Sequence, residues 1–100
     1  MLLCEVQLGN PMQELVQASY TAGDDAKLKG RLATLGMGST IPQGWKDAAC
    51  VHPSLQGVVM PDVSHGLETV DQQTRSLLYN EYIVYDVAQI RQRYLLKVSM

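Results

Sequence analysis

Ser76-Leu77-Leu78-Tyr79-Asn80-Glu81-Tyr82-Ile83-Val84-Tyr85-Asp86 sets one acidic residue at the head of a run of β-branched and aromatic residues suited to a sheet. As a single strand over Leu78 to Asp86, alternation puts Glu81, Ile83 and Tyr85 on one face and Tyr82, Val84 and Asp86 on the other. Neither face is plainly polar, the pattern of a strand inside a domain. An ionised carboxylate buried there without partners costs on the order of several kcal/mol, so Glu81 is expected to have a partner or a chemical role. The alternative is a glutamate at a strand end, half in water and bonded to a neighbouring backbone amide.

Working outward, Ile90 to Val98 reads as a second strand, with Arg91, Arg93 and Lys97 on a wet face and Gln92, Tyr94, Leu96 and Val98 on the other. Val87-Ala88-Gln89 would join the two as an antiparallel hairpin, although no Asn-Gly or Asp-Gly turn marks it. At the other end, Leu2, Cys4, Val6 and Leu8 alternate with Leu3, Glu5 and Gln7, a strand ended by Gly9-Asn10-Pro11. A short strand is expected over Gly57 to Met60, and a helical turn or irregular segment over Met12 to Ala18. Val63 to Arg75 is polar and turn-rich. Tyr20 to Gln43 carries Gly, Ser, Thr and mixed charge and reads as a long surface loop. Gly36-Met37-Gly38-Ser39-Thr40 lacks the strand, spacing and helix start of a phosphate cradle, and reads as a mobile stretch with both glycines at positive φ. Trp45 is expected to pack and anchor this loop rather than stack on a base.

Composition points to a single globular unit. Charged residues are 18% of the 100, the hydrophobic set 46%, and Phe is absent while Tyr occurs five times. A formal net charge of −2 argues against this segment gripping nucleic acid, whose binders carry a basic excess. Cys4 falls in an apolar strand pattern and Cys50 at a loop edge, so a buried free thiol and an incidental one are expected rather than a disulfide. His52 and His65 stand apart without a metal-ligand spacing, so no metal site is expected. There is no apolar run of membrane-spanning length and no leader pattern, the mark of a soluble intracellular chain.

The string from Leu77 to Ile90, followed by Arg93-Tyr94-Leu95-Leu96-Lys97-Val98, closely resembles the carboxyl-terminal end of the poly(ADP-ribose) polymerase catalytic domain. Leu2-Leu3-Cys4-Glu5-Val6-Gln7-Leu8-Gly9-Asn10 is similar to that family's Leu-Leu-x-Glu-Val-Ala-Leu-Gly-Asn strand. Gly36-Met37-Gly38-Ser39-Thr40-Ile41-Pro42 is similar to its Gly-Leu-Gly-Lys-Thr-Thr-Pro, and Gly57-Val58-Val59-Met60-Pro61 to its Gly-Val-x-Val-Pro. Gln43 to Leu55 looks more like fungal members. The resemblance implies an α+β fold dominated by antiparallel β-strands, part of an ADP-ribosyltransferase-type fold, spanning residues 1–100. It also implies NAD as substrate, protein acceptors of ADP-ribose, a nuclear location and a DNA-repair setting.

In that family's pattern Glu81 is the catalytic glutamate, with Leu78 and Tyr79 towards the acceptor side. The family's His and Tyr belong to segments upstream of the Leu-Leu-x-Glu-Val strand, with which this chain begins, and His65-Gly66 is a His-Gly pair in the wrong place. The resemblance therefore implies that the upstream half of the domain is missing here and that the isolated chain is inactive. The alternative is a non-catalytic remnant acting as an interaction module through its sheet edges.

Overall fold

The computed structural model describes residues 1–99. In chain order it forms β1 (Leu2–Val6), β2 (Gln13–Leu15), α1 (Ala22–Leu28), β3 (Ala33–Gly36), β4 (Gly38–Pro42), β5 (Trp45–Asp47), β6 (Val59–Pro61), β7 (Leu67–Thr69), β8 (Leu77–Tyr79), β9 (Glu81–Val84) and β10 (Ile90–Leu95). The strands make four small sheets, β1-β10, β2-β3-β9, β7-β4-β8 and β5-β6. Mostly strand with one helix among the described residues, the fold is α+β and dominated by antiparallel pairs. The exceptions are the parallel pairs β2/β3 and β4/β8.

The segment expected to be a long loop contains the structural centre. Ala26 of α1, Ala33 and Thr34 of β3 and Gly38 and Ser39 of β4 are all buried. The helix has ordinary terminal signals: Asp24 and Asp25 in the first turn favour the positive end of its dipole. Beyond its last residues Gly30 takes φ +68°, its N–H bonding Lys27 O at 3.1 Å while Arg31 N bonds Ala26 O at 2.8 Å. Segment Met12–Ala18 likewise holds a strand rather than a helical turn. β2 is only three residues long and lies parallel to β3, too short for periodicity to reveal.

The two carboxyl-terminal strands do not pair with each other. β9 pairs with β3, and β10 with β1. Between them Val87–Gln89 forms a short 3-10 turn, closed by a reciprocal cap in which Ala88 N donates to Asp86 Oδ1 at 2.9 Å and Asp86 N to Gln89 Oε1 at 3.1 Å. Gln89 Nε2 then donates to Gln7 O at 2.8 Å and Leu32 O at 2.9 Å, steering the chain out of one sheet and into another.

In the β1/β10 pair the register shifts between Leu3 and Cys4, so that Leu3 faces Tyr94, Cys4 faces Gln92 and Arg93 is the extra residue. Its guanidinium grips Glu5 Oε2 through Nε at 2.8 Å and Nη2 at 2.6 Å. Arg93 thus belongs to a paired, half-buried site and not to the solvated face that alternation suggests. Trp45 lies half-exposed on β5 opposite Pro61. Cys4 is half-buried and Cys50 exposed.

β3 and β4 are separated only by Met37, and β8 and β9 only by Asn80. At these two residues both chains change sheet together, Gly36 pairing with Glu81 on one side and Gly38 with Leu77 on the other. Neither glycine has a positive φ. What requires glycine is close approach: a Cβ on Gly38 would lie 2.2 Å from Tyr79 C and 2.5 Å from Asn80 N. A Cβ on Gly36 would meet only the flexible end of Leu77, Cδ1 at 2.6 Å. Gly38→Ala is therefore expected to cost about 3 kcal/mol or more in urea denaturation and Gly36→Ala about 1–2 kcal/mol, since a side-chain end can yield where a peptide cannot.

A second local device lies after β6, where Asp62 accepts from Ser64 Oγ at 2.7 Å and Ser64 N at 3.1 Å, with His65 Nε2 at 3.4 Å and Lys46 Nζ at 4.0 Å. The Ser64 hydroxyl, then the Ser64 amide, hold the Asp62 carboxyl below the 3.8 of a free aspartate. Because its folded value is the lower one, the turn is fully supported above the unfolded value of 3.8 and loses that support as pH falls through the folded midpoint. An NMR titration is expected to place the Asp62 midpoint below 3.8, and Ser64→Ala to move it upward.

Candidate functional site

Glu81 opens β9 immediately after the break at Asn80, so the run from Leu78 to Asp86 is two strands in two sheets rather than one. This places Glu81 at a strand end and in water, not inside a sheet buried on both faces. Among the described residues its carboxylate accepts no hydrogen bond and forms no ion pair, so neither a buried partner nor a neighbouring amide engages it.

The carboxylate does have a place. Glu81 lines a cavity of about 200 Å³ whose other walls come from Leu15 to Ser19, Ala22 of α1, Thr34 and Gly36 of β3, Ser76, Leu77 and Ile83. The wall is mostly apolar, and Gln17, Ser19, Thr34 and Ser76 are the uncharged polar residues along it. Ser76 Oγ donates to Val16 O at 3.4 Å, Ser19 Oγ lies 3.2 Å from Thr21 Oγ1, and Gln17 Nε2 donates to Thr74 O. None of these residues stands out in the sequence, because they come from three separate segments that only tertiary folding brings together. At about 200 Å³ the cavity has room for a sugar-sized group. It falls below the roughly 300–1,000 Å³ of clefts that enclose a drug-sized ligand.

Leu78 and Tyr79 are 57% and 62% exposed and do not line this cavity. They sit on β8, in the sheet on the far side of the Asn80 break, while their neighbour Leu77 turns inward to the wall beside Glu81. The three candidate residues are thus adjacent in sequence but divided between the cavity wall and the outer surface.

Behind the cavity is a buried polar network. Gln13 Nε2 donates to Ala22 O at 3.0 Å and Thr34 Oγ1 at 3.3 Å, and Thr34 Oγ1 meets the Tyr85 hydroxyl at 2.5 Å. It ties β2, α1, β3 and the end of β9 into one wall. Beside it Arg75 Nη1 donates to Gly38 O at 2.9 Å, and Asn80 Oδ1 accepts from Gly38 N at 2.9 Å. Burial raises the Tyr82 hydroxyl pKa above its usual 10.0, opposed by a side-chain hydrogen bond from Asn80.

A carboxylate without an internal partner among the described residues, at the edge of a small and mostly apolar cavity, can accept a hydrogen bond from a bound hydroxyl and stabilise positive charge developing beside it. No group of three or more His, Cys, Asp or Glu side chains among the described residues is placed to hold a metal ion. No helix among them is long and apolar enough to cross a membrane.

The family model for the poly(ADP-ribose) polymerase catalytic domain matches residues 1–100. A rice protein named poly [ADP-ribose] polymerase 2-A (Oryza sativa subsp. japonica) is 46% identical over 100 residues, covering 99% of this chain and 14% of the rice protein. The poly [ADP-ribose] polymerase 1 proteins of Gallus gallus and Danio rerio are 44% and 47% identical over 98% and 97% of the chain. The match covers 9% and 8% of their own lengths, so the chain spans a seventh or less of these relatives. Plant and vertebrate relatives match at similar identity and do not test the expected fungal subgroup. A family match that runs from Met1 to Met100 leaves no segment unassigned, and the chain belongs to the poly(ADP-ribose) polymerase catalytic domain family.

Proposed function

We propose that residues 1–100 are the carboxyl-terminal part of the catalytic domain of an NAD-dependent protein ADP-ribosyltransferase, with Glu81 as its catalytic glutamate. The observation that carries this reading is the uncommitted Glu81 carboxylate on the wall of a sugar-sized cavity, within a chain of this family.

In the proposed reaction the bond from the ribose anomeric carbon to nicotinamide breaks, and nicotinamide leaves with the electron pair. The sugar becomes oxocarbenium-like, and a new bond forms to an acceptor atom that gives up a proton. Glu81 accepts a hydrogen bond from a ribose hydroxyl, holding the sugar in a reactive pose and stabilising its developing charge. When the acceptor is a hydroxyl of an earlier ADP-ribose unit, the same carboxylate accepts the hydrogen bond that activates it, and the chain elongates. Leu78 and Tyr79, exposed across the Asn80 break from Glu81, are the proposed contacts on the acceptor side. The small volume of the cavity supports a division of labour in which residues outside this chain, among them the family's His and Tyr, hold the nicotinamide end. The acceptors are proteins, and the setting, by family alone, is the nucleus and DNA repair.

A second reading, a non-catalytic interaction module, draws support from the exposed Leu2, Leu3, Leu95 and Leu96 around the two-stranded β1-β10 sheet.

The expected outcome is that residues 1–100 alone leave NAD unchanged, whereas a native polypeptide extended to include the family's His and Tyr releases nicotinamide. In the extended form Glu81→Gln is expected to reduce polymer elongation by at least about 100-fold, as loss of a general base does. Polymer synthesis at the unmodified rate in that variant would remove Glu81 from its role.

A further inference from the structure

Glu81 has no side-chain partner of its own among the described residues, so its direction is inherited from the backbone that carries it. That backbone turns at Asn80. Tyr79 is the last residue of β8 and pairs with Thr40 of β4, whereas Glu81 is the first of β9 and pairs with Gly36 of β3. The single residue between them belongs to neither sheet.

Its side chain performs the work of a ladder bond. Asn80 Oδ1 accepts from the amide of buried Gly38 at 2.9 Å, and Arg75 Nη1 donates to the carbonyl of the same glycine at 2.9 Å. Both backbone groups of Gly38 thus have a side-chain partner, one of them from the residue at which the chain turns away. The contact is also close, since Gly38 lies against the Tyr79–Asn80 peptide with no space for a Cβ.

We propose that Asn80 is the positioning residue of Glu81: by pinning the sheet switch to the Gly38 amide it fixes the angle at which the carboxylate meets the cavity. This rests on the reading of Glu81 as the catalytic glutamate. Asn80 itself touches neither the cavity nor the reacting atoms. A purely structural asparagine would change stability alone, whereas a positioning one changes the chemical step while leaving binding of NAD in place.

The experiment uses the complete native polypeptide that carries this chain, with Asn80→Leu, which keeps the shape but removes the acceptor, and Asn80→Asp, which keeps the acceptor oxygen. Asn80→Leu is expected to lower kcat for NAD turnover by about 30- to 100-fold with KM within about twofold, the scale of a misplaced catalytic group. Asn80→Asp is expected to recover most of kcat, because its carboxylate oxygen can still accept from the Gly38 amide. Gly38 amide exchange is expected to quicken about 5- to 10-fold in Asn80→Leu and not in Asp, and the Glu81 χ1 couplings to average only in Leu. Unchanged kcat in Asn80→Leu, or equal losses of kcat in both variants, overturns the proposal. If the unmodified protein does not turn over NAD, the ADP-ribosyltransferase reading fails. Gly38 exchange and Glu81 couplings then still judge Asn80: averaged couplings in Leu alone support positioning, and unaltered couplings defeat it.

Discussion

The approach of the Gly38 backbone to the Tyr79–Asn80 peptide is the constraint around which the fold is arranged. Two chain segments, β3-β4 and β8-β9, change sheets at the same point, and they can do so only if one of them presents no side chain there. Close backbone packing of this kind excludes water from the Gly38 amide and carbonyl, so each needs an internal partner. Asn80 and Arg75 provide them. A steric requirement for glycine thereby creates a requirement for two particular polar side chains.

The position of Glu81 follows from this. Had β8 and β9 been one continuous strand, its carboxylate would have entered a sheet interior and needed a counter-charge. The break at Asn80 moves it to the start of β9, exposed at the edge of the cavity, where no partner among the described residues engages it. The wall behind stays rigid by other means. Gln13, Thr34 and Tyr85 bond across three elements, and the buried apolar residues packed near them are the small Ala26 and Ala33. Small side chains let these short elements approach closely, while larger ones such as Leu2, Leu3, Leu78 and Leu95 remain exposed. The chain accordingly holds its site through backbone proximity and hydrogen bonds more than through a large apolar core.

Strand alternation is legible where a strand is long. β1 and β10 appear near their expected places, because five or six residues give two-fold periodicity enough repeats to show. It fails for β2, β5 and β7, three residues each, and for α1, whose seven residues make barely two turns. The helix still carried a readable signal in Asp24-Asp25 near its start and Gly30 beyond its end, obscured by the polar composition of the surrounding segment. The apparent hairpin of β9 and β10 was suggested by proximity in sequence alone. Asp86 and Gln89 cap a 3-10 turn instead and direct the chain towards β1.

By itself the sequence determined the family, through motifs that extend from Leu2 to Val98, and the dominance of strands. Those features are local, residing in residue identity and short spacing. Only the tertiary structure decided that Glu81 is exposed, that Leu78 and Tyr79 lie outside its cavity, and that Gln17, Ser19, Thr34 and Ser76 lie within. The physical reason is that sheet partners and cavity walls are set by contacts between residues far apart in the chain. Which strand a residue joins there depends on whether two backbones can touch, as they do at Gly38.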